Sequence, residues 1–184
     1  LLRYRKGWLL LIGNKIIGQQ EYNIRLLSGN DEIDVQNLCE RCSDFFELIE
    51  GRLPEKDAGN SILFDLPPGK ALKDKYVFGV YKKNGVLIAV IDMVKDYKAT
   101  GEWIIGLFML DPDERGNRLG RRLHDSIKDW VLEEHGRALR IGVVEENRRG
   151  HKFWCKMGYI EVDRVKMTYG NKEHTVKVMN LFLK

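Results

Sequence analysis

From Trp103 to Leu110 the chain is apolar at every position, with Gly106 inside the run. A strand with one wet face alternates, so an unbroken run predicts a strand buried on both sides. Asp111 and Pro112 end it, and Arg115–Gly120 follows as a tight turn carrying two glycines. Leu119, Leu123, Ile127, Trp130 and Val131 then recur at helical spacing, while Arg122, Asp125, Asp129 and Glu133 occupy the opposite face. His135-Gly136-Arg137 predicts a glycine cap at the end of that helix. The order is strand, glycine loop, helix, with arginines in and beside the loop.

The remaining pattern alternates strands with shorter helices. Tyr22–Leu27 reads as a strand closed by Ser28-Gly29-Asn30. From Asp31 a single helical period runs through Ile33, Leu38, Cys42, Phe45, Phe46 and Ile49 until Gly51 and Pro54 break it. Arg52–Asp74, with Pro67-Pro68-Gly69 at its centre, reads as an irregular connection of the kind that forms lids or binding loops. Tyr76–Tyr81 and Val86–Val94 form a predicted hairpin around Asn84-Gly85, with Asp92 facing a site or solvent. Leu139–Val144 is a strand and Asn147 caps a short helix. Glu161–Thr168 and Thr175–Leu183 pair around Tyr169–Lys172. Leu1 to residue 21 stands apart as an N-terminal extension, an extra strand or hairpin turning at Gly13-Asn14-Lys15, ahead of one domain from Tyr22 to Lys184.

Composition narrows the classes. With 184 residues, 43% hydrophobic and 32% charged, the chain suits one domain with a real core. The apolar stretch Trp8–Ile12 is far short of the ~20 residues of a membrane span. A net charge of +4 is mild and its basic residues are spread out, so an anionic ligand is favoured over nucleic acid. Three cysteines argue against a disulfide framework and for a reducing cytoplasm. Cys39-x-x-Cys42 has no second pair, so buried thiols are expected there and no metal. Asp44, Glu47, Glu50, Glu55, Asp57 and Asp65 make one half locally acidic, either as solvated faces or as an attraction for a cationic amine.

The first amides of a helix lack intrahelical partners and lie at its positive end. Glycines let a bulky anion approach, and Arg115, Arg118, Arg121 or Arg122 can add charge-assisted bonds. The loop therefore fits a phosphate or pyrophosphate. It has neither the Gly-Lys-Ser/Thr close of a triphosphate loop nor the three-glycine dinucleotide fingerprint.

It resembles instead the acetyl-CoA loop R/Q-x-x-G-x-G/A of the GNAT superfamily of N-acyltransferases. Arg115 and Gly120 take the outer positions and Arg118 stands at the inner glycine. Asn147-Arg-Arg-Gly150-His-Lys-Phe153-Trp154-Cys-Lys156-Met-Gly158-Tyr159 follows the family's later N-x-x-A-x-x-F-Y-x-K-x-G-F segment, in the right order. The resemblance implies an α/β fold: a mixed, mostly antiparallel twisted sheet with helices on both faces and a central splayed parallel strand pair. It implies acetyl-CoA as co-substrate, its arm along Phe108, Met109 and Leu110 and its pyrophosphate on the amides of Arg115, Gly116, Asn117, Arg118, Leu119, Gly120 and Arg121. Asn147, Gly150, Phe153 and Trp154 would contact the arm from the other side.

The implied activity is transfer of an acetyl group to a primary amine, a small molecule rather than a protein, by direct attack within a ternary complex. A non-catalytic acyl-CoA sensor is the alternative. An amide at Phe108 or Met109 would hold the oxyanion. The family's strand carboxylate aligns with Ile104, which leaves Glu102 as the candidate base. The family's acid tyrosine is Trp154, whose indole cannot protonate a thiolate. Arg118, being no glycine, is expected in ordinary helical conformation. Oligomeric state is left open, a homodimer being one option.

Overall fold

In a computed structural model, which describes residues 13–17 and 20–184, the apolar run lies in the middle of an eight-stranded sheet. The elements are β1 (Gly13–Ile17), β2 (Gln20–Leu26), α1 (Glu32–Arg41), α2 (Ser43–Glu50), α3 (Ala58–Phe64), β3 (Lys75–Lys82), β4 (Leu87–Val94) and β5 (Glu102–Leu110). After them come α4 (Leu119–Glu133), β6 (Ala138–Val144), α5 (Arg148–Lys156), β7 (Ile160–Tyr169) and β8 (Lys172–Phe182). Strand order is β1-β2-β3-β4-β5-β6-β8-β7. β5 and β6 are parallel and every other neighbouring pair is antiparallel. No helix among the described residues is long and apolar enough to cross a membrane.

Both faces are covered, each by the apolar stripe its helices carry. α4 lays Leu119, Leu123, Ile127, Trp130 and Val131 on Phe78, Ile91, Met93, Trp103 and Ile105. Trp130 meets Trp103 edge-on at 4.9 Å and Phe78 at 5.0 Å. On the opposite face Val35, Leu38, Cys39, Phe46 and Leu63 from α1–α3 cover Val77, Tyr81, Leu87, Val90 and Met109. The buried Gln36 side chain joins α1 to α3, donating to the Glu55 carbonyl at 2.9 Å and accepting from the Gly59 amide at 2.9 Å.

Four local expectations are corrected. The single helix from Asp31 is two, divided at Cys42, and Ile33 is 66% exposed because Val35, Leu38 and Cys39 set the buried face. The segment 52–74 is not wholly irregular, since it contains α3, too short to show a period. At the end of α4 the left-handed residue is His135 (φ 63°), while Gly136 is there for closeness: a β-carbon on it would stand 2.3 Å from Val131 Cγ1. Gly13-Asn14-Lys15 is no turn but the start of β1, which pairs with β2. The expectations for Leu1–Ile12 lie outside the described residues.

Candidate active site

β5 pairs with β6 only from Glu102 to Ile105, against Ala138 to Ile141. Beyond that point the strands part. Gly106–Leu110 keeps β4 on one side, and β6 continues to Val144 against β8 alone. The gap runs about 15 Å along β5 at ~3.3 Å per residue. It begins at a bulge, where Asp92 and Met93 of β4 face Leu107 and Ile105 and leave Gly106 as the extra residue. The run is therefore not buried on both sides throughout: Trp103 and Ile105 are buried, whereas Gly106 is exposed and Leu107, Phe108 and Leu110 are half-buried.

Hydrogen-bond alternation decides which main-chain groups face the gap. The Asp111 amide donates to the Ile88 carbonyl at 2.8 Å. In an antiparallel ladder every second residue makes such a pair, so Met109 and Leu107 turn toward β4 while Phe108 and Leu110 turn away from it. Met109 itself is buried. The main-chain groups open to a ligand are thus those of Phe108 and the amide of Leu110, whose carbonyl is taken by Arg115 and Cys42, and Met109 contributes none. Across the gap the Glu145 amide donates to the Thr175 carbonyl at 2.9 Å, which by the same alternation turns Gly142 and Val144 inward.

The loop after β5 is held from three sides. Arg41 places Nε 2.6 Å from Asp111 Oδ2 and donates through Nη2 to the Leu87 carbonyl at 2.6 Å. Lys82 pairs with the buried Glu114 carboxylate. Arg115 forks onto Asp44 of α2, and its Nε donates to the Leu110 carbonyl at 2.9 Å. That pairing raises the guanidinium above its ordinary value and lowers the Asp44 carboxyl. Arg115 therefore fastens the loop and does not extend into solvent for a phosphate.

Asn117 accepts the Leu119 amide at 3.1 Å, and the Glu114 and Arg115 amides are bonded within the preceding turn. The amides of Gly116, Asn117, Arg118, Gly120 and Arg121 have no acceptor among the described residues. They surround the start of α4, beside a concavity of about 520 Å³ lined by Arg118, Arg121, Arg122 and Asp125. Arg118 is not helical: with φ 70° and ψ 3° it occupies the left-handed conformation a glycine would take. The expectation of an ordinary helical residue there is corrected.

On the far wall Asn147 caps α5, its side chain accepting from the Gly150 amide at 2.8 Å. Phe153 and Trp154 meet Phe108 at ring separations of 6.0 and 5.5 Å, and Gly120 lies against Leu110 and Phe153. The gap, the loop and α5 are thus one site. Behind Trp154, His124 Nε2 stands 3.1 Å from Tyr159 Oη, and burial pulls the histidine down to about 4. His124 is a neutral packing residue.

Glu102 is placed elsewhere. It sits at the closed end of the parallel pair, about 20 Å along the strand from Phe108, with Oε2 3.7 Å from Arg140 and 3.5 Å from Asn180. The carboxylate near the gap is instead Asp92. Its Oδ2 would stand 3.2 Å from a β-carbon on Gly106. The run pattern left its direction open, because the bulge that turns it toward the site is a property of the β4·β5 pairing. The ion pairs that fasten the loop had no local signal either, since each joins segments distant in sequence.

The fold is similar to solved acetyltransferases. A Thermus thermophilus acetyltransferase matches with a TM-score of 0.71 at 17% identity, over 88% of this chain and 97% of that one. The ribosomal-protein-S18-alanine N-acetyltransferase of Escherichia coli matches at 0.66 and 16%, over 89% and 94%. A phosphinothricin N-acetyltransferase, so described provisionally, matches at 0.67 and 15%, over 89% and 99%. No curated protein sequence matches the chain significantly. The family model described as the acetyltransferase (GNAT) family matches residues 38–159, the stretch containing the loop, the splayed strands and α5. This chain belongs to the GNAT acetyltransferase family and is an acyltransferase.

Proposed function

We propose that the chain transfers an acetyl group from acetyl-CoA to the primary amine of a small molecule, by direct attack within a ternary complex. The observation that carries the reading is the conjunction of the open Phe108 main chain and Leu110 amide with the unpartnered amides of Gly116, Asn117, Arg118, Gly120 and Arg121. The pantetheine arm, itself rich in amides, adds to the strand edge as a further strand would. Its pyrophosphate sits at the positive end of α4, with Arg118, Arg121 and Arg122 adding charge. The amide of Phe108 is the donor for the developing oxyanion.

A small acceptor is supported by how the opposite side closes. Lys172 donates to the Glu47 and Leu48 carbonyls at 2.7 and 3.2 Å, and the Asn171 amide donates to the Glu50 carbonyl at 2.9 Å. His174 Nε2 donates to the Ile49 carbonyl at 2.8 Å. These bonds fasten the β7–β8 turn to the end of α2, which we read as one wall of a confined acceptor side. The solved relatives include one named for a protein substrate and one for a small molecule, so similarity alone does not choose.

Trp154 is the observation that favours an acyl-CoA sensor as second reading, because indole cannot protonate the leaving thiolate. Calorimetric titration with acetyl-CoA, followed by thiol release across a panel of amines, separates these outcomes. Binding with amine-dependent release is the expected result. Binding without release makes the chain a sensor, and absence of binding ends both readings.

A further inference from the structure

We infer that Asp92 accepts the proton of the acceptor's ammonium group, supplying from the neighbouring strand the carboxylate that β5 lacks at Ile104. The inference rests on the acetyl-transfer reading above and narrows the acceptor to an amine that is cationic at neutral pH.

Asp92 stands directly opposite Leu107 in the β4·β5 ladder, one residue from the Phe108 edge. It also stands opposite Val77, on the face covered by α1–α3, the same face as the segment 52–74. Its two oxygens differ. Lys75, whose side chain is 3% exposed, holds Nζ 2.8 Å from the buried Oδ1 as an ion pair and donates to the Asp65 carbonyl at 2.9 Å. Oδ2 lies beside Gly106, the exposed bulge residue where β5 leaves β6. Gly106 does not have a positive φ, so its backbone has no need of glycine. What glycine provides is an uncovered Oδ2, since a β-carbon would come within 3.2 Å of it.

The charged groups facing Asp92 are Lys75 from β3 and Asp65 from the end of α3. Burial pushes the carboxyl above the ordinary carboxylate range, Lys75 draws it back, and Asp65 adds to the rise. A carboxylate of raised basicity held on one oxygen only is suited to proton abstraction. The ammonium group gives one proton to Asp92, and the freed nitrogen pair forms a C–N bond to the thioester carbon. The C–S bond breaks with its electron pair leaving on sulfur. The second nitrogen proton passes through solvent to that thiolate, and Asp92 returns the first to water. The products are an N-acetylamine, coenzyme A and one proton.

The test measures acetyl-CoA affinity by calorimetry and thiol release from pH 6 to 9 with a panel holding a polyamine, an arylalkylamine, an amino acid and a peptide. Asp92→Asn should bind acetyl-CoA as the unaltered chain does, yet release thiol at least about 100-fold more slowly. It should also lose the fall in rate on the acid side. Lys75→Met should move that fall to higher pH, because the group holding Asp92 ionised is gone. Wild-type rate and pH profile in Asp92→Asn would overturn the inference and leave the acetyl-transfer reading standing, whereas absence of acetyl-CoA binding in the unaltered chain would overturn both. If acetyl-CoA binds and no amine accelerates release, the acetyl-transfer reading falls and the inference falls with it. If Asp92→Asn fails to fold, Gly106→Val covers Oδ2 without altering charge. It should slow release as strongly, and an unchanged rate would overturn the inference.

Discussion

Arg118→Gly separates two things that Arg118 does. Its backbone is left-handed, at φ 70°, in the position that starts α4. A side chain in that conformation costs about 1–2 kcal/mol. Glycine removes the cost but loosens the unfolded chain by about 0.5–1 kcal/mol. The expected net effect is a gain of about 0.5–1 kcal/mol, or a rise in Tm of roughly 1–4 °C for a chain of this size. The guanidinium is exposed and has no ion-pair or hydrogen-bond partner among the described residues, so nothing in the empty protein is lost with it. Acetyl-CoA affinity should fall, by about 3- to 10-fold for one exposed charge beside a pyrophosphate, which is about 0.7–1.4 kcal/mol. Arg118→Ala is the control, with the charge removed and the strained conformation kept. It should match Arg118→Gly in calorimetry and be less stable by about 1 kcal/mol in urea unfolding. Equal stability of the two variants would refute the left-handed start and, with it, the account of how this chain manages without a glycine there.

Asp44→Asn, outside the loop, should weaken acetyl-CoA binding about 10-fold by calorimetry, because it frees the arginine that fastens the loop; undiminished binding would mean that Arg115 does not act through Asp44. His124 gives a pH test. Its folded value of about 4 lies below the ordinary 6.5, so its contribution is complete above pH 6.5 and is lost as pH falls toward 4. The span corresponds to about 3 kcal/mol. In urea unfolding at pH 7 and pH 4.5 the unaltered chain should lose about 2–3 kcal/mol more than His124→Phe, and parallel losses would contradict the burial argument. Gly136→Ala should cost about 2–3 kcal/mol, since its β-carbon collides with Val131 Cγ1 at 2.3 Å and the Val131 carbonyl at 2.9 Å. A thermal melt unchanged from the unaltered chain would show that the helix end moves freely.

Features that depend only on neighbours along the chain were legible before any fold was known. The apolar run, the glycine loop and the period of Leu119–Val131 are local, and each reappears in β5, the loop and α4 at nearly the same residues. The Asn147 cap is likewise local, one side chain reaching an amide three residues on. Tertiary structure decided where β5 parts from β6, because a ladder ends through the geometry of two strands and neither strand encodes that point alone. It decided that Met109 turns away and Phe108 turns in, since that depends on which residue of β4 lies opposite. It took Arg115 for Asp44, which fastens the loop to α2, and it gave Arg118 a left-handed backbone at the start of α4. It exchanged Glu102 for Asp92 beside the gap, because one bulged residue, Gly106, sets which carboxylate a neighbouring strand brings to the opening. Periodicity fixes which residues share a face; contacts between distant segments fix where on that face an opening forms and which charges line it.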